Sequence, residues 1–147
     1  MFERARNLNI PSRYIGREEF KSEDLVRELQ HIPADLIVLA GFLWLMPPQM
    51  INAFPKRILN IHPALLPKFG GKGMYGEKVH EAVIAAGEKE SGITIHAIDA
   101  DYDRGTTVFQ AKCPVTKEDT AETLANKVHQ LEYAYYPEII DKYLQSL

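Results

Sequence analysis

Two short apolar runs constrain the fold of this chain more than any other feature. Leu36 to Ala40, within DLIVLAG, and Arg57 to Ile61 both lack the regular alternation of apolar and polar residues that marks a half-exposed strand. Strands with nearly continuous apolar sequence suit a sheet that is covered on both faces, as parallel sheets are. The two runs therefore predict buried strands of an α/β protein.

Three segments around these runs predict helices. Residues 18–32 carry apolar side chains at a spacing that places them on one helical face. The segment PPQMINAF, at 47–54, begins with two prolines, which a helix tolerates in its first turn. Residues 75–86 predict a third helix, and Gly87 can supply the left-handed residue that ends it.

The carboxyl-terminal part of the chain adds two strands and the longest helix. Ile93 to Ile98 and Thr107 to Cys113 are separated by a short polar loop, which favours an antiparallel pair. Asp119 with Glu122 predicts a capping box at the start of the last helix. Pro137 predicts that this helix is kinked or broken into two pieces.

The length and composition of the chain indicate its number of domains, its classes of partner and its compartment. A chain of 147 residues has the size of one domain, so we expect a single α/β domain with a mainly parallel sheet, an antiparallel edge and flanking helices. The formal net charge of -3 argues against nucleic acid or an anionic membrane as a partner. The single cysteine, Cys113, suits a reducing compartment. With neither an apolar run of about 18 residues nor a signal-peptide core, the sequence predicts a cytoplasmic protein that acts on small molecules.

A polar pair ends the second apolar run. Asn60 and His62 are two residues apart, so on a strand their side chains share one face while Ile61 points the opposite way. Pro63 keeps His62 extended and stops the strand. Because ligands of open α/β sheets bind at the carboxyl ends of parallel strands, we expect the pair to face a crevice. Taken alone, Asn-x-His also fits an asparagine in a turn and a histidine bonded to backbone carbonyls.

The surrounding sequence favours catalysis by electrostatic stabilisation. Asp103, in the loop DADYDRG, is a candidate to orient or protonate a histidine, since a nearby carboxylate favours the charged imidazole. No serine lies in a Gly-x-Ser-x-Gly turn, and Cys113 lies within an apolar strand, so no nucleophile is evident. The histidines lack metal-ligand spacing, and we expect no metal site. An amide and an imidazolium side by side can stabilise an oxyanion formed when the substrate's own nucleophile attacks a carbonyl.

Three separated motifs resemble one family, and they occur along this chain in the order that the family has. NIHPALLPKF at 60–69, GFLWL at 41–45 and GITIHAIDADYDRGTTVFQAKCPV at 92–115 closely resemble the phosphoribosylglycinamide formyltransferases, folate-dependent enzymes of purine synthesis. The resemblance covers nearly the whole chain. It implies a formyltransferase-type, Rossmann-like sheet and transfer of a formyl group from 10-formyltetrahydrofolate to the amine of glycinamide ribonucleotide, without a covalent enzyme intermediate.

The resemblance also implies which residues form the site. The catalytic asparagine, histidine and aspartate of the family fall on Asn60, His62 and Asp103. The first two would donate to the oxyanion, while Asp103 would keep His62 protonated and help to move a proton from the amine to the departing folate nitrogen. The folate would contact Leu43, Trp44, Leu45, Met46, Asn60, Ile98, Asp99, Ala100, Asp101 and Asp103. The nucleotide would contact Ile61, Pro63, Lys68, Gly70, Gly71, His96 and Glu132.

Three of these residues also fit purely structural roles. His96 lies within a predicted strand and can serve the core alone. Trp44 stands where the family often has an arginine, and a large aromatic side chain there fits a core position. Glu132 by itself fits a solvated residue of the last helix.

The start of the chain departs from the family pattern. The family begins with a strand, a phosphate-binding turn, a helix and a second strand, whereas MFERARNLNIPSRYI, at 1–15, resembles the helix and strand that come afterwards. We therefore expect an incomplete, amino-terminally truncated domain that alone is a weak or inactive formyltransferase. Its uncovered sheet edge would allow self-association or pairing with a partner fragment.

Two other functions compete with formyl transfer to the nucleotide. A formyltetrahydrofolate deformylase would use water in place of the amine at the same three residues. A folate-binding or assembly fragment without catalytic activity would follow from the lack of the phosphate-binding turn.

Overall fold

The computed structural model describes residues 2–98 and 105–147. Its chain forms two units, Met1–Pro33 and Ala34–Leu147. The first unit contains α1 (Phe2–Asn7), α2 (Arg17–Phe20) and α3 (Glu23–His31). The second contains four strands and three helices among its described residues: β1 (Ile37–Leu39), α4 (Pro48–Ala53), β2 (Ile58–His62), α5 (Glu77–Ala85), β3 (Glu90–Ala97), β4 (Thr106–Pro114) and α6 (Ala121–Gln145).

The first unit differs from the sequence prediction in two places. The helix expected over 18–32 is two helices, because the Ser22 hydroxyl accepts a hydrogen bond from the Leu25 N–H at 3.2 Å and so starts α3 as an N-cap. The strand expected after the first helix is wrong, since the described residues before α2 contain no strand. Asn9 is left-handed there, with φ at 55°, and Pro11 has no N–H to donate to a ladder.

The second unit is built on a mixed sheet in which the described strands lie in the order β1-β2-β3-β4. β1 and β2 are parallel, whereas β2 with β3 and β3 with β4 are antiparallel. The α/β class with flanking helices is confirmed. The antiparallel part of the sheet extends over two of the three strand pairs in the described chain, and one pair is parallel.

β2 explains the lack of alternation in its sequence. All five of its residues are buried, because the strand lies between β1 and β3 and its sheet face packs on a core. The core cluster consists of Leu59, Ile61, Val83, Ile93, Ile95, Cys113, Leu124, Val128, Tyr136 and Ile139, which come from β2, β3, β4, α5 and α6.

Two helix predictions for the second unit are confirmed. The segment at 47–54 forms α4, which has proline in its first turn. The segment at 75–86 forms α5, and Gly87 follows it with φ at 64°, the left-handed conformation that ends a helix. Among the described residues, no helix combines the length and apolar character that a membrane crossing requires.

Two predictions about α6 are wrong. The capping box is formed by Thr120 and Thr123, one residue later than expected, because Asp119 instead accepts the Thr116 N–H at 2.7 Å and the Thr123 hydroxyl at 2.9 Å. The helix also continues through Pro137 without a break. Pro137 lies on the exposed face, where water can bond the carbonyl left without a donor.

Candidate active site

Asn60 and His62 lie at the carboxyl end of β2, on the wall of a cavity of about 670 Å³. Asn60 is 9% exposed and His62 is 4% exposed. Because β1 runs parallel to β2, its end at Leu39 reaches the same cavity. The strand topology therefore places this polar pair at the crevice that α/β sheets use for ligands.

His96 holds the amide of Asn60. The two residues are direct partners in the β2–β3 ladder, and Asn60 Nδ2 donates to His96 Nε2 at 3.1 Å. His96 is fully buried. A side-chain amide has two N–H groups, so this bond fixes the orientation of Asn60 and leaves its second proton for a ligand. Among the described residues, Asn60 Oδ1 has no hydrogen-bond partner.

The His62 ring is fixed by the loop that follows β2. His62 Nε2 donates to the Phe69 carbonyl oxygen at 2.7 Å, so Nε2 carries a proton. Phe69 has a left-handed backbone with φ at 55°. If Nδ1 is also to donate a hydrogen bond, both ring nitrogens must be protonated, and only the imidazolium form meets that condition.

One wall of the cavity is apolar and follows β1. Phe42 and Trp44 pack edge to face, with ring centroids 6.1 Å apart and an interplanar angle of 71°. The predicted folate contacts Leu43, Trp44, Leu45, Met46 and Ile98 all line the cavity, together with Phe42. Such a wall suits a flat aromatic ligand.

The other wall is polar and belongs to α6. Glu122, Asn126, His129 and Glu132 line the cavity from one helical face, because they are three or four residues apart. His129 Nδ1 and Glu132 Oε2 are 2.8 Å apart. This wall can bond hydroxyl, amide or amine groups of a ligand.

The predicted nucleotide contacts do not all reach the cavity. Ile61, Pro63, Gly71 and Glu132 line it, and His96 lies behind Asn60. Lys68 lies elsewhere among the described residues: its Nζ bonds Glu88 Oε1 at 2.8 Å, and it lines a second cavity of about 300 Å³. Gly70 is not among the residues that line the larger cavity.

Four predicted site residues lie outside the residues that the structure describes. They are Asp99, Ala100, Asp101 and Asp103, and their roles stay predictions. Within residues 2–98 and 105–147, no group of three or more His, Cys, Asp or Glu residues is placed to hold a metal ion.

The sequence analysis missed His80, which is the fourth residue of α5 and lines the cavity. Burial lowers the pKa of His80, and the nearby His129 and His62 lower it further. The sequence analysis also missed three residues of α6, although helical spacing was a signal for them. Glu122, Asn126 and His129 occupy the helical face next to the apolar positions, so helical spacing alone predicts that they share a surface with Glu132.

Comparison with known proteins shows the family to which this chain belongs. The profile of the formyl transferase family matches residues 2–140. A phosphoribosylglycinamide formyltransferase of Arabidopsis thaliana, named as chloroplastic, is 49% identical over 117 residues, which are 80% of this chain and 40% of that protein. The phosphoribosylglycinamide formyltransferase of Haemophilus influenzae is 37% identical over 142 residues, which are 93% of this chain and 65% of that protein. This chain therefore spans less than two thirds of the length of either relative.

Solved structures share the fold. The crystal structure of glycinamide ribonucleotide transformylase 1 from Symbiobacterium toebii has a TM-score of 0.87 and 35% identity, and the match covers 98% of this chain and 68% of that one. A formyltetrahydrofolate deformylase from Pseudomonas syringae pv. tomato has a TM-score of 0.85 at 22% identity, covering 99% of this chain and 48% of that one. The deformylase likeness shows the fold alone.

Proposed function

Because this chain belongs to the formyl transferase family, we propose that it transfers a formyl group from 10-formyltetrahydrofolate to the amine of glycinamide ribonucleotide, a step of purine synthesis. The relatives named above that match it at 35% identity or more are glycinamide ribonucleotide formyltransferases by name. The observation that carries the proposal is the buried pair Asn60 and His62, which line a cavity that also has apolar and polar lining residues.

The two walls suit the two substrates. The folate has a flat ring system, which fits against the apolar wall formed by residues 42–46. The nucleotide has ribose hydroxyl groups, for which Glu132 and His129 on the α6 wall are suitable partners. Bound in this way, the substrates would bring the amine and the formyl group together at Asn60 and His62.

The reaction needs no nucleophile from the protein. The nitrogen of the amine bonds to the formyl carbon, and the carbonyl electrons move onto oxygen, where Asn60 Nδ2 and the His62 ring donate to the negative charge. The bond between the formyl carbon and the folate nitrogen then breaks. The proton lost by the amine goes to that nitrogen, and Asp103 is proposed to keep His62 protonated and to assist the transfer.

His62 must carry two protons to fulfil this role while its loop contact is kept. Its Nε2 proton is donated to the Phe69 carbonyl oxygen, and Nδ1 is the nitrogen proposed to donate to the oxyanion. The imidazolium form, which supplies both bonds, also places a positive charge beside the developing negative charge.

Removal of either donor should slow the reaction. We expect Asn60→Ala and His62→Ala each to lower kcat roughly a hundredfold or more, because one oxyanion donor contributes about 3 kcal/mol to the barrier. Turnover relative to the unsubstituted chain is the measurement. His31→Ala, a change at an exposed histidine of α3, is the control and should leave kcat unchanged. Near-normal turnover in either site variant would contradict the assignment.

The same assay separates the competing functions. Formyl transfer consumes 10-formyltetrahydrofolate only when the nucleotide is present, whereas a deformylase releases formate without it. Folate binding with no turnover in the unsubstituted chain would instead support the non-catalytic fragment.

Three further features stay predictions from the sequence. They are the cytoplasmic location, the lack of a nucleic-acid partner, and self-association through the sheet edge, which β1 forms among the described strands. The mass of the chain in solution would test the last of these. The Arabidopsis thaliana relative is chloroplastic by name, so similarity to this family does not by itself indicate the cytoplasm.

A further inference from the structure

His80 is a buried polar residue whose bonding is incomplete. Its side chain is 2% exposed, yet it lines the large cavity together with Asn60 and His62. Its Nδ1 atom has no hydrogen-bond partner among the described residues. No described group therefore fixes the tautomer of this ring. A packing role alone would be served as well by an apolar side chain.

The ring of His80 is suited to a neutral ligand group. Burial, followed by the charges of His129 and His62, lowers the pKa of His80, so the imidazole is neutral at neutral pH. A neutral imidazole has one donor nitrogen and one acceptor nitrogen. Because no described group bonds Nδ1 and fixes the tautomer, the other nitrogen, Nε2, can either donate or accept.

The position of His80 indicates which part of the substrate it meets. It neighbours both His62, where the amine reacts in the proposed function, and His129, which lies with Glu132 on the wall proposed for the ribose. In glycinamide ribonucleotide, an amide joins the carbon that bears the amine to the ribose. That amide has one N–H donor and one carbonyl acceptor, and either matches a neutral imidazole.

We propose that His80 binds the amide of the nucleotide substrate through Nε2 and thereby selects an amine that carries this amide. The inference rests on the proposed function and deepens it, because it assigns the contact between the reacting amine and the ribose. His80 is a binding and specificity residue that takes no part in the proton transfer.

Nitrogen NMR of the unsubstituted chain tests this contact directly. With 15N-labelled histidine, glycinamide ribonucleotide should shift the His80 ring signals, whereas a reduced folate alone should leave them unchanged. Calorimetry in the same buffer reports whether each ligand binds. Nucleotide binding without a change at His80 would overturn this inference and leave the proposed function intact. Failure of the nucleotide to bind at all would overturn both.

Substitutions give a second test. His80→Phe should weaken nucleotide binding about tenfold, leave folate binding unchanged and leave the melting temperature the same or higher, because it removes an unbonded buried nitrogen. His80→Gln, which keeps a donor and an acceptor, should recover part of the affinity.

Ser91→Ala is the matched control. Ser91 is also 2% exposed, and its Oγ also has no described partner, but it lines the smaller cavity. This variant should bind both ligands normally. Equal loss of folate and nucleotide binding in His80→Phe, or an equal loss in Ser91→Ala, would mean a structural role for His80 and would overturn the inference.

Discussion

Gly92 occupies a position in the β3–β4 ladder that has no room for a side chain. A Cβ atom added there would lie 1.9 Å from the Ala111 carbonyl oxygen and 3.0 Å from Leu65 Cδ2. The oxygen belongs to the backbone of the neighbouring strand, so it cannot move without disturbing the ladder. This residue therefore controls how closely β4 approaches β3, the strand that carries His96.

We expect Gly92→Ala to lower the free energy of unfolding by about 3 kcal/mol or more, because the ladder must shift to remove the clash. Gly87→Ala is the comparison. It meets open space but has φ at 64°, so it should cost only about 1 kcal/mol from backbone strain. Urea unfolding of the two variants measures both values. A smaller cost at Gly92 than at Gly87 would contradict the steric argument.

Some residues of the candidate site could be predicted from the sequence, and others could not. Asn60 and His62 could be placed at a strand end because their spacing and the following proline restrict the backbone locally. His80 could not, since a histidine in an amphipathic helix has the same local pattern whether it faces a core or a cavity. The bond between His62 and Phe69 depends on the path of a loop, which local spacing does not determine.

At the scale of elements, one tyrosine of α6 forms hydrogen bonds to the sheet. The buried Tyr136 hydroxyl is 2.8 Å from the Leu39 carbonyl oxygen of β1 and 3.2 Å from the Leu59 carbonyl oxygen of β2. Burial, and secondarily the charge of Glu132, raises the pKa of Tyr136, so the phenol remains a donor. The contact lies one residue before Pro137, which explains how the helix remains attached to the sheet where the sequence predicted a break.

Tyr136→Phe should lower the free energy of unfolding by about 1 kcal/mol, since two buried carbonyls lose a donor. The difference in the free energy of unfolding between wild type and Tyr136→Phe should have its maximum value below pH ~10, where the tyrosine of the unfolded chain is also neutral. It should shrink as the pH rises further, because ionisation then favours the unfolded wild-type chain while the phenol of the folded chain resists it.

Denaturant unfolding from about pH 8 to about pH 11 measures this difference, because the ordinary tyrosine pKa of ~10 lies within that range. Tyr133→Phe, at a residue 69% exposed, serves as the control and should have little effect at any pH. A difference between wild type and Tyr136→Phe that grows with pH would contradict the prediction.

At the scale of the whole molecule, the cavity is the place where chemically different surfaces meet. The apolar wall comes from the segment after β1, the polar wall comes from α6, and β2 supplies Asn60 and His62 to the same cavity. The α/β class was predictable because the buried strands have continuous apolar sequence. The extent of the antiparallel pairing was not, since strand partners are chosen by contacts distant in the chain.

We expect the two walls to bind their ligands independently. Trp44→Ala should weaken folate binding about tenfold by removing apolar contact area, and should leave nucleotide binding unchanged. Glu132→Gln should have the reverse effect, because it weakens bonds to ribose hydroxyls. Calorimetry with each ligand alone measures both. If both variants impaired both ligands equally, the assignment of one wall to each substrate would be wrong.

In the proposed reaction, the cross-strand bond between Asn60 and His96 determines when the amide donor becomes oriented. Because the amide is held by its ladder partner, its rotational freedom is lost when the sheet forms, before any substrate arrives. The donor therefore does not need to be oriented during each turnover. Under the proposed function, the pairing register of β2 with β3 contributes to the rate, and it is set once, when the protein folds.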